Sequence, residues 1–118
     1  AVALAECCFS SFNRKGIGAE VVVPETLSGS LSPRSMLFSE SPSRIIISLA
    51  PSALAAVENI AAREHCPFTV IGQVGGSTLR IMLGEAEAVA VEVSELENAW
   101  RDSLGRHLET EVMAAGRE

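Results

Sequence analysis

The sequence predicts an α+β fold in which a mixed β-sheet carries its helices mainly on one face. β-branched runs predict strands, and segments with apolar residues every three or four positions predict helices. Their order is helix, strand, short helix, strand, helix, three strands and a last helix, which fits one mixed sheet with helices layered on it. With 118 residues, 47% of them hydrophobic, the chain suffices for one core and is too short for two ordinary domains.

The first half begins with a predicted helix over residues 1–11 and a strand over 19–23 that ends at Pro24. A loop rich in Ser, Gly and Pro precedes a short helix at 34–38. One face of the first helix is apolar, with Val2, Ala5, Phe9 and Phe12 at spacings of three and four. That face is expected to pack on a sheet or on another helix.

Residues 44–49, Arg-Ile-Ile-Ile-Ser-Leu, contain three consecutive isoleucines without polar alternation. A continuous apolar run of this kind is typical of a strand covered on both faces. We therefore expect it at the centre of the sheet.

Pro51 suits the first position of a helix, which we expect to end near His65 because Pro67 disfavours helical geometry at Cys66. Its apolar stripe comprises Leu54, Val57, Ile60 and Ala61.

Three strands and a helix are predicted in the last part of the chain. Residues 68–74 and 79–83 are expected to form an antiparallel hairpin around Gly75-Gly76-Ser77, with 89–93 as a further strand. Ser94 and Glu97 have the spacing of a capping box at the start of the last helix. Its apolar positions are Leu96, Trp100, Leu104 and Leu108. This spacing would make Trp100 a core anchor. Residues 110–118 are expected to fray.

Composition excludes several functional classes. Fifteen acidic and nine basic residues give a net charge of −6, which disfavours nucleic acid in the absence of a basic cluster. No run is apolar enough to span a membrane and no secretory signal is recognisable, so a cytoplasmic protein is expected. Cys7, Cys8 and Cys66 form neither a disulfide framework nor a C-x-x-C pair, which favours buried, reduced thiols.

Several polar segments have a structural and a functional interpretation. Residues 72–77 suggest a glycine-rich phosphate loop but lack its lysine and lead into a strand, which favours a turn. Residues 13–18 could bind an anion or form a solvated turn. His65 and His107 lack acidic or nucleophilic neighbours in sequence, so structural roles are favoured. No catalytic residue or metal ligand is predicted.

The strongest candidate site is the turn before the isoleucine run, where Ser39, Glu40, Ser41, Ser43 and Arg44 concentrate hydroxyls, a carboxylate and a guanidinium. Polar side chains that project from a rigid element suit ligand recognition. Surface pairing of Glu40 with Arg44 at a helix exit explains the same composition equally well.

Residues 37–47, Leu-Phe-Ser-Glu-Ser-Pro-Ser-Arg-Ile-Ile-Ile, closely resemble the LFSES-x-SR-x-x-V motif of the phosphoribosylformylglycinamidine synthase family, in its large or synthetase subunit. Three more segments resemble that family in the same order: 18–21 (Gly-Ala-Glu-Val), 70–76 (Val-Ile-Gly-Gln-Val-Gly-Gly) and 93–100 (Val-Ser-Glu-Leu-Glu-Asn-Ala-Trp). Residues 1–6 resemble the helix after the family's SDGGLAVALAE signature. Gln73 departs from the family's usual Arg or Lys.

This resemblance implies a C-terminal domain of the aminoimidazole ribonucleotide synthetase type, from the second half of the synthetase. The domain would span residues 1–118 of a longer chain, with 1–12 ending a helix of the preceding domain. The family's enzyme uses ATP, magnesium and ammonia from glutamine to convert formylglycinamide ribonucleotide into its amidine. The implied partners are the preceding synthetase domains and a glutaminase subunit or domain.

By analogy with that family, Ser39 to Arg44, with Pro42 among them, would line a substrate or nucleotide cleft. The family's catalytic histidines, ATP contacts and magnesium carboxylates correspond to positions before Ala1. The isolated chain is therefore expected to be inactive and to hold no cofactor alone. The alternative is a stand-alone binding or assembly module of the same fold. Selenophosphate and hydrogenase-maturation synthetases fit the LFSES turn less well.

Overall fold

The computed structural model describes residues 1–10, 15–24, 31–40 and 44–115, with no side chain described at 104 or beyond 105. The helices are α1 (Val2–Cys8), α2 (Pro33–Phe38), α3 (Leu54–Arg63, preceded by a 3-10 turn at Pro51–Ala53) and α4 (Val93–Ala115). The strands are β1 (Ala19–Val23), β2 (Gly72–Val74), β3 (Thr78–Leu83) and β4 (Ala86–Glu92).

The four strands form one mixed sheet in the order β2-β1-β3-β4. Strand β1 pairs with β2 antiparallel and with β3 parallel, and β3 pairs with β4 antiparallel. The α+β class with a mixed sheet is thereby confirmed. The predicted hairpin of 68–74 with 79–83 is wrong in its pairing, because β1 lies between β2 and β3.

Gly18 explains how β1 enters between two strands that are consecutive in sequence. Its N–H donates to the Gly76 carbonyl at 2.9 Å, and its carbonyl accepts from the Gly75 N–H at 2.8 Å. The loop between β2 and β3 thus bonds to the start of β1 and does not close a two-strand turn. Gly76, at φ 69°, adopts the left-handed conformation that glycine favours.

The core lies on one face of the sheet. Alternate residues of β1 and β3 point to it, and Ala19 is level with Leu79 while Val21 is level with Ile81. All four are buried, together with Cys8 of α1 and Val93 at the start of α4. These two helices therefore cover the same face, as the sequence predicts.

The isoleucine run is not a strand among the described residues, and this prediction is wrong for the structure. Ile45, Ile46 and Ile47 are 82%, 51% and 56% exposed, and the segment forms no ladder. The central position is taken by β1, whose register with β3 buries Val21 against Ile81. Apolar composition predicts that a segment is buried, but it does not choose the strand that pairs with it.

The bounds of other elements also differ from expectation. The first helix ends at Cys8 because Phe9 is extended, and Phe12 lies outside the described residues. Only Gly72–Val74 of the predicted strand 68–74 joins the sheet. The third and final strands are Thr78–Leu83 and Ala86–Glu92, so Val93 belongs to the last helix.

The capping box is a further correction. Helix α4 begins at Val93, whose N–H donates to the Ser77 carbonyl at 2.8 Å, so Ser94 lies inside the helix. Glu97 bonds instead to Ser10. Trp100 is 55% exposed and is not a core anchor.

The close approach at Gly18 gives a test of the sheet order. A Cβ there would lie 2.3 Å from the Thr78 carbonyl oxygen and 2.8 Å from that of Gly75. Since backbone atoms cannot swing away, we expect Gly18→Ala to lower the free energy of unfolding by about 1–3 kcal/mol.

Urea denaturation of the variant measures this loss. The control is Gly105→Ala in α4, where nothing lies within 4 Å of the added Cβ. It should raise the free energy of unfolding by up to about 1 kcal/mol through helix propensity. Equal effects of the two substitutions would contradict the observed strand order.

Candidate functional site

The candidate turn follows α2, whose start is well defined by local chemistry. Ser32 caps the helix by accepting from the Ser35 N–H at 3.2 Å, and Pro33 occupies the first turn. Leu37 packs against the core, and its carbonyl accepts from the amino group of Ala1 at 2.6 Å. These contacts attach α2 to the start of α1.

The structure describes three of the five predicted site residues. Ser39 ends α2, where its N–H donates to the Ser35 carbonyl at 2.9 Å, and Ser39, Glu40 and Arg44 are all exposed. Ser41 and Ser43 lie outside the described residues, as does Pro42. Within the described part of the chain, Glu40 and Arg44 form no ion pair with each other.

A shallow depression lies on another part of the surface, between α3 and the segment that follows it. It is lined by Glu58, Ala61, Ala62, Cys66 and Phe68. The described residues of the turn do not contribute to it. The described residues of the site proposed from sequence, Ser39, Glu40 and Arg44, are therefore exposed and lie outside this depression.

The most connected polar group is one that sequence reasoning missed. The Glu97 carboxylate accepts from the Ser10 N–H at 3.1 Å, from the Ser10 hydroxyl and from Arg101 Nε at 2.8 Å. Arg101 also donates to the Ser10 carbonyl at 3.3 Å. Only the Glu97–Arg101 spacing of four is visible in the sequence, because Ser10 is brought to Glu97 by the fold.

Aromatic contacts support the same junction. The rings of Phe9 and Trp100 have centroids 5.5 Å apart in a tilted arrangement, and the Arg101 guanidinium lies 5.8 Å from the Trp100 ring centroid. We call Phe9, Ser10, Glu97, Trp100 and Arg101 the α1–α4 clamp. Ser10, Glu97 and Arg101 bond to one another within the clamp, so its chemistry suits holding two helices together.

Two further polar contacts among the described residues lie on the sheet face opposite the core. Thr78 Oγ1 donates to Glu92 Oε1 at 2.6 Å, and Arg80 lies 3.4 Å from a Glu87 carboxylate oxygen. Hydrogen bonds from Thr78 and then Ser77 lower the pKa of Glu92. Exposed pairs of this kind contribute little to stability.

The histidines and cysteines are placed as follows. His65 follows Glu64, the C-cap of α3, with φ 52°, and the Cys66 N–H donates to the Ala61 carbonyl at 2.8 Å. The side chain of His107 lies outside the described residues. Cys8 is buried as expected, and burial, then the neighbouring Cys7, raises the pKa of its thiol. The prediction of burial is wrong for Cys7 and Cys66, which are exposed.

The described residues lack two features that would bear on function. No group of three or more His, Cys, Asp or Glu side chains there is arranged to hold a metal ion. No helix in that part of the chain is both long and apolar enough to cross a membrane. Lys15 is exposed ahead of β1, whereas Asn13 and Arg14 lie outside the described residues. A solvated turn at 13–18 therefore stays the prediction, with anion binding as its alternative.

Comparison with known proteins decides the family. Residues 1–84 match the family described as AIR synthase related protein, C-terminal domain. The chain belongs to this family. Its mixed sheet, with helices α1 and α4 on one face, agrees with that assignment.

Three similar proteins carry the same name, phosphoribosylformylglycinamidine synthase subunit PurL. The one from Moorella thermoacetica is 36% identical over 104 residues, covering 88% of this chain and 13% of that protein. The Thermobifida fusca protein is 35% identical over 104 residues, again 88% of this chain and 12% of its own. That of Anaeromyxobacter sp. strain Fw109-5 is 36% identical over 118 residues, 95% of this chain and 14% of its own.

This chain thus spans about one eighth of the length of the relatives it matches. No solved structure matches it. The family match over residues 1–84 includes strands β1, β2 and β3. The name of the relatives, in contrast, describes the activity of proteins several times longer than this chain.

The clamp predicts a definite pH dependence. Hydrogen bonds from Ser10, then from Arg101, lower the pKa of Glu97 from 4.5 to about 2 in the folded chain. The resulting stability is present above pH 4.5 and is lost as the pH falls from 4.5 towards 2. We expect Glu97→Gln to lower the free energy of unfolding at pH 7 and to lessen this acid sensitivity.

Thermal unfolding between pH 7 and pH 2 checks both effects. The control is Glu64→Gln, since the Glu64 side chain contacts only Arg63 among the described residues, at 2.8 Å and on the surface. It should leave stability at pH 7 nearly unchanged. If both variants followed the unmodified chain at every pH, the clamp would have no role in stability.

A second prediction concerns the cap of α3. A non-glycine residue at positive φ is strained, so His65→Gly should raise the free energy of unfolding by about 0.5–1 kcal/mol. His65→Ala keeps the strain and serves as the control. Urea denaturation distinguishes them, and an equal gain in both variants would assign the effect to loss of the imidazole.

Proposed function

We propose that this chain is the C-terminal domain of a phosphoribosylformylglycinamidine synthase and contributes structure to an enzyme whose chemistry lies mostly in other segments. The observation that carries the proposal is the 36% identity with the Moorella thermoacetica subunit PurL over 88% of this chain. The reaction would convert formylglycinamide ribonucleotide into its amidine with ATP and ammonia from glutamine, a C–N ligation of purine biosynthesis in the cytoplasm.

ATP and magnesium belong to this proposal for the whole synthase. No three carboxylate, imidazole or thiol groups converge among the described residues. We therefore assign the groups that would hold the metal to the other segments of the synthase. Preceding synthetase domains and a glutaminase subunit or domain are the partners proposed.

Within that synthase we propose that the turn from Ser39 to Arg44 forms part of the wall of a substrate or nucleotide cleft. Glu40 and Arg44 are exposed and without an ion pair to each other, so both are available to a ligand. An arginine suits a phosphate group, and a carboxylate suits hydroxyl or amino groups. The stand-alone binding module is the second candidate, supported by the buried cluster that the described residues form on one face of the sheet.

A chimaeric synthase tests both the proposed place of this chain in the synthase and the proposed role of its turn in the cleft. The 104-residue matching region of the Moorella protein would be replaced by this chain and expressed in a bacterium that lacks the enzyme. We expect growth without added purines from the chimaera and none from this chain alone. Failure of a well-folded chimaera to support growth would favour the stand-alone module.

In the purified chimaera, Glu40→Ala and Arg44→Ala should each raise KM for formylglycinamide ribonucleotide or for ATP about tenfold, the cost of one charged hydrogen bond. The matched control is Arg63→Ala, since Arg63 is also exposed and pairs only with Glu64 among the described residues. Unchanged KM for both substrates in an active chimaera would remove the turn from the cleft and leave the family assignment intact.

A further inference from the structure

Helix α4 leaves the core soon after it begins. Val93 is buried, and Glu97 bonds to the residue that follows the end of α1 by two positions. From position 98 to position 103, and again at 105, each described residue is exposed. A Cβ added at Gly105 would have nothing within 4 Å. The helix nevertheless continues to Ala115, well beyond the last residue of the clamp.

This outer part of α4 carries an apolar stripe. Apolar residues recur at every fourth position, at Leu96, Trp100, Leu104, Leu108 and Val112. Residues four positions apart are neighbours on one side of a helix. The stripe begins on the core at Leu96 and passes through Trp100, which remains 55% exposed although its ring contacts Phe9. Because most of the stability of a helix in a protein comes from packing its apolar side, the stripe needs a partner.

Two opposite charges lie on the same side of α4 as the stripe. At about 100° per residue, position 101 falls about 60° from position 104, and position 111 falls about 20° from it in the other direction. These positions are Arg101 and Glu111. The Arg101 side chain is 52% exposed beside Glu97, so it is accessible to a further carboxylate. The stripe thus has a cation near one end and an anion near the other.

An antiparallel pair of α4 helices accommodates the stripe and both charges. With a two-fold axis near position 106, Arg101 of one copy is level with Glu111 of the other, and Leu104 is level with Leu108. A parallel pair would instead set each charge against its like. Since one surface supplies both members of every contact, it is self-complementary, as a two-fold interface requires. The net charge of −6 disfavours an anionic membrane or a nucleic acid on the same surface.

We propose that two copies of this chain associate through an antiparallel pair of α4 helices, with the stripe from Trp100 to Val112 as the seam between them. The pair involves only a few turns of each helix, so the interface is small and its dissociation constant is expected to be on the order of 10 μM. The proposal concerns this surface alone and does not rest on the proposed function.

Sedimentation equilibrium of the 118-residue chain tests the association. Between about 1 and 200 μM, the measured mass should rise from 12.4 kDa towards twice that value. Leu104→Glu should weaken the association at least about tenfold, because it places a carboxylate in the seam. The control is Ala99→Glu, which adds the same charge at a position about 140° away around the helix and should change nothing. A mass of 12.4 kDa at every concentration, or association unaffected by Leu104→Glu, would overturn the proposal.

A charge reversal tests the antiparallel direction. Glu111→Arg would set like charges against each other in both halves of the two-fold pair and should weaken association about fivefold to tenfold. In a parallel pair the same change would only exchange one like-charge contact for another. The control is Glu109→Arg, which alters the net charge equally at a position about 160° from position 111. If Glu111→Arg left the association constant at the value of this control, the antiparallel arrangement would be wrong.

Discussion

The structure depends on the insertion of β1 between β2 and β3. This insertion joins a strand from early in the chain to two strands from its second half, and it brings Ala19 and Val21 level with Leu79 and Ile81. It is possible only because Gly18 has no side chain, since the loop between β2 and β3 bonds to both of its backbone groups. Without that approach, β2 and β3 would be free to pair with each other as an ordinary hairpin.

The two helices that cover the core depend on this arrangement in turn. Val93 both fills the core and starts α4, and its N–H bonds to Ser77 in the same loop that holds Gly18. The direction of α4 then brings Glu97 and Trp100 to the end of α1, where Ser10 and Phe9 meet them. Strand order, helix start and clamp are thus successive consequences of one backbone contact.

Local sequence patterns predicted the elements better than their partners. The β-branched run at 19–23, the proline at the start of the third helix and the short helix at 34–38 depend on near neighbours, and each element formed. The pairing of β1 with β2 and β3 depends on a contact between Gly18 and residues almost sixty positions away, which no periodicity encodes. Glu97 shows the same limit, because its spacing from Ser94 fits a capping box while the fold supplies Ser10 as a better partner.

The sequence predicts which residue types the candidate site contains, but it does not predict how their side chains are placed relative to one another. Ser39 and Glu40 are positioned by α2, which is attached through Leu37 to the core and to the start of α1, whereas Arg44 precedes the exposed isoleucine run. The two ends of the turn are thus held by different parts of the fold, and only the first end is anchored to the core. A recognition site needs side chains held by rigid elements on both sides. The position of residues 44–49 therefore decides whether the carboxylate and the guanidinium of this turn face one ligand together.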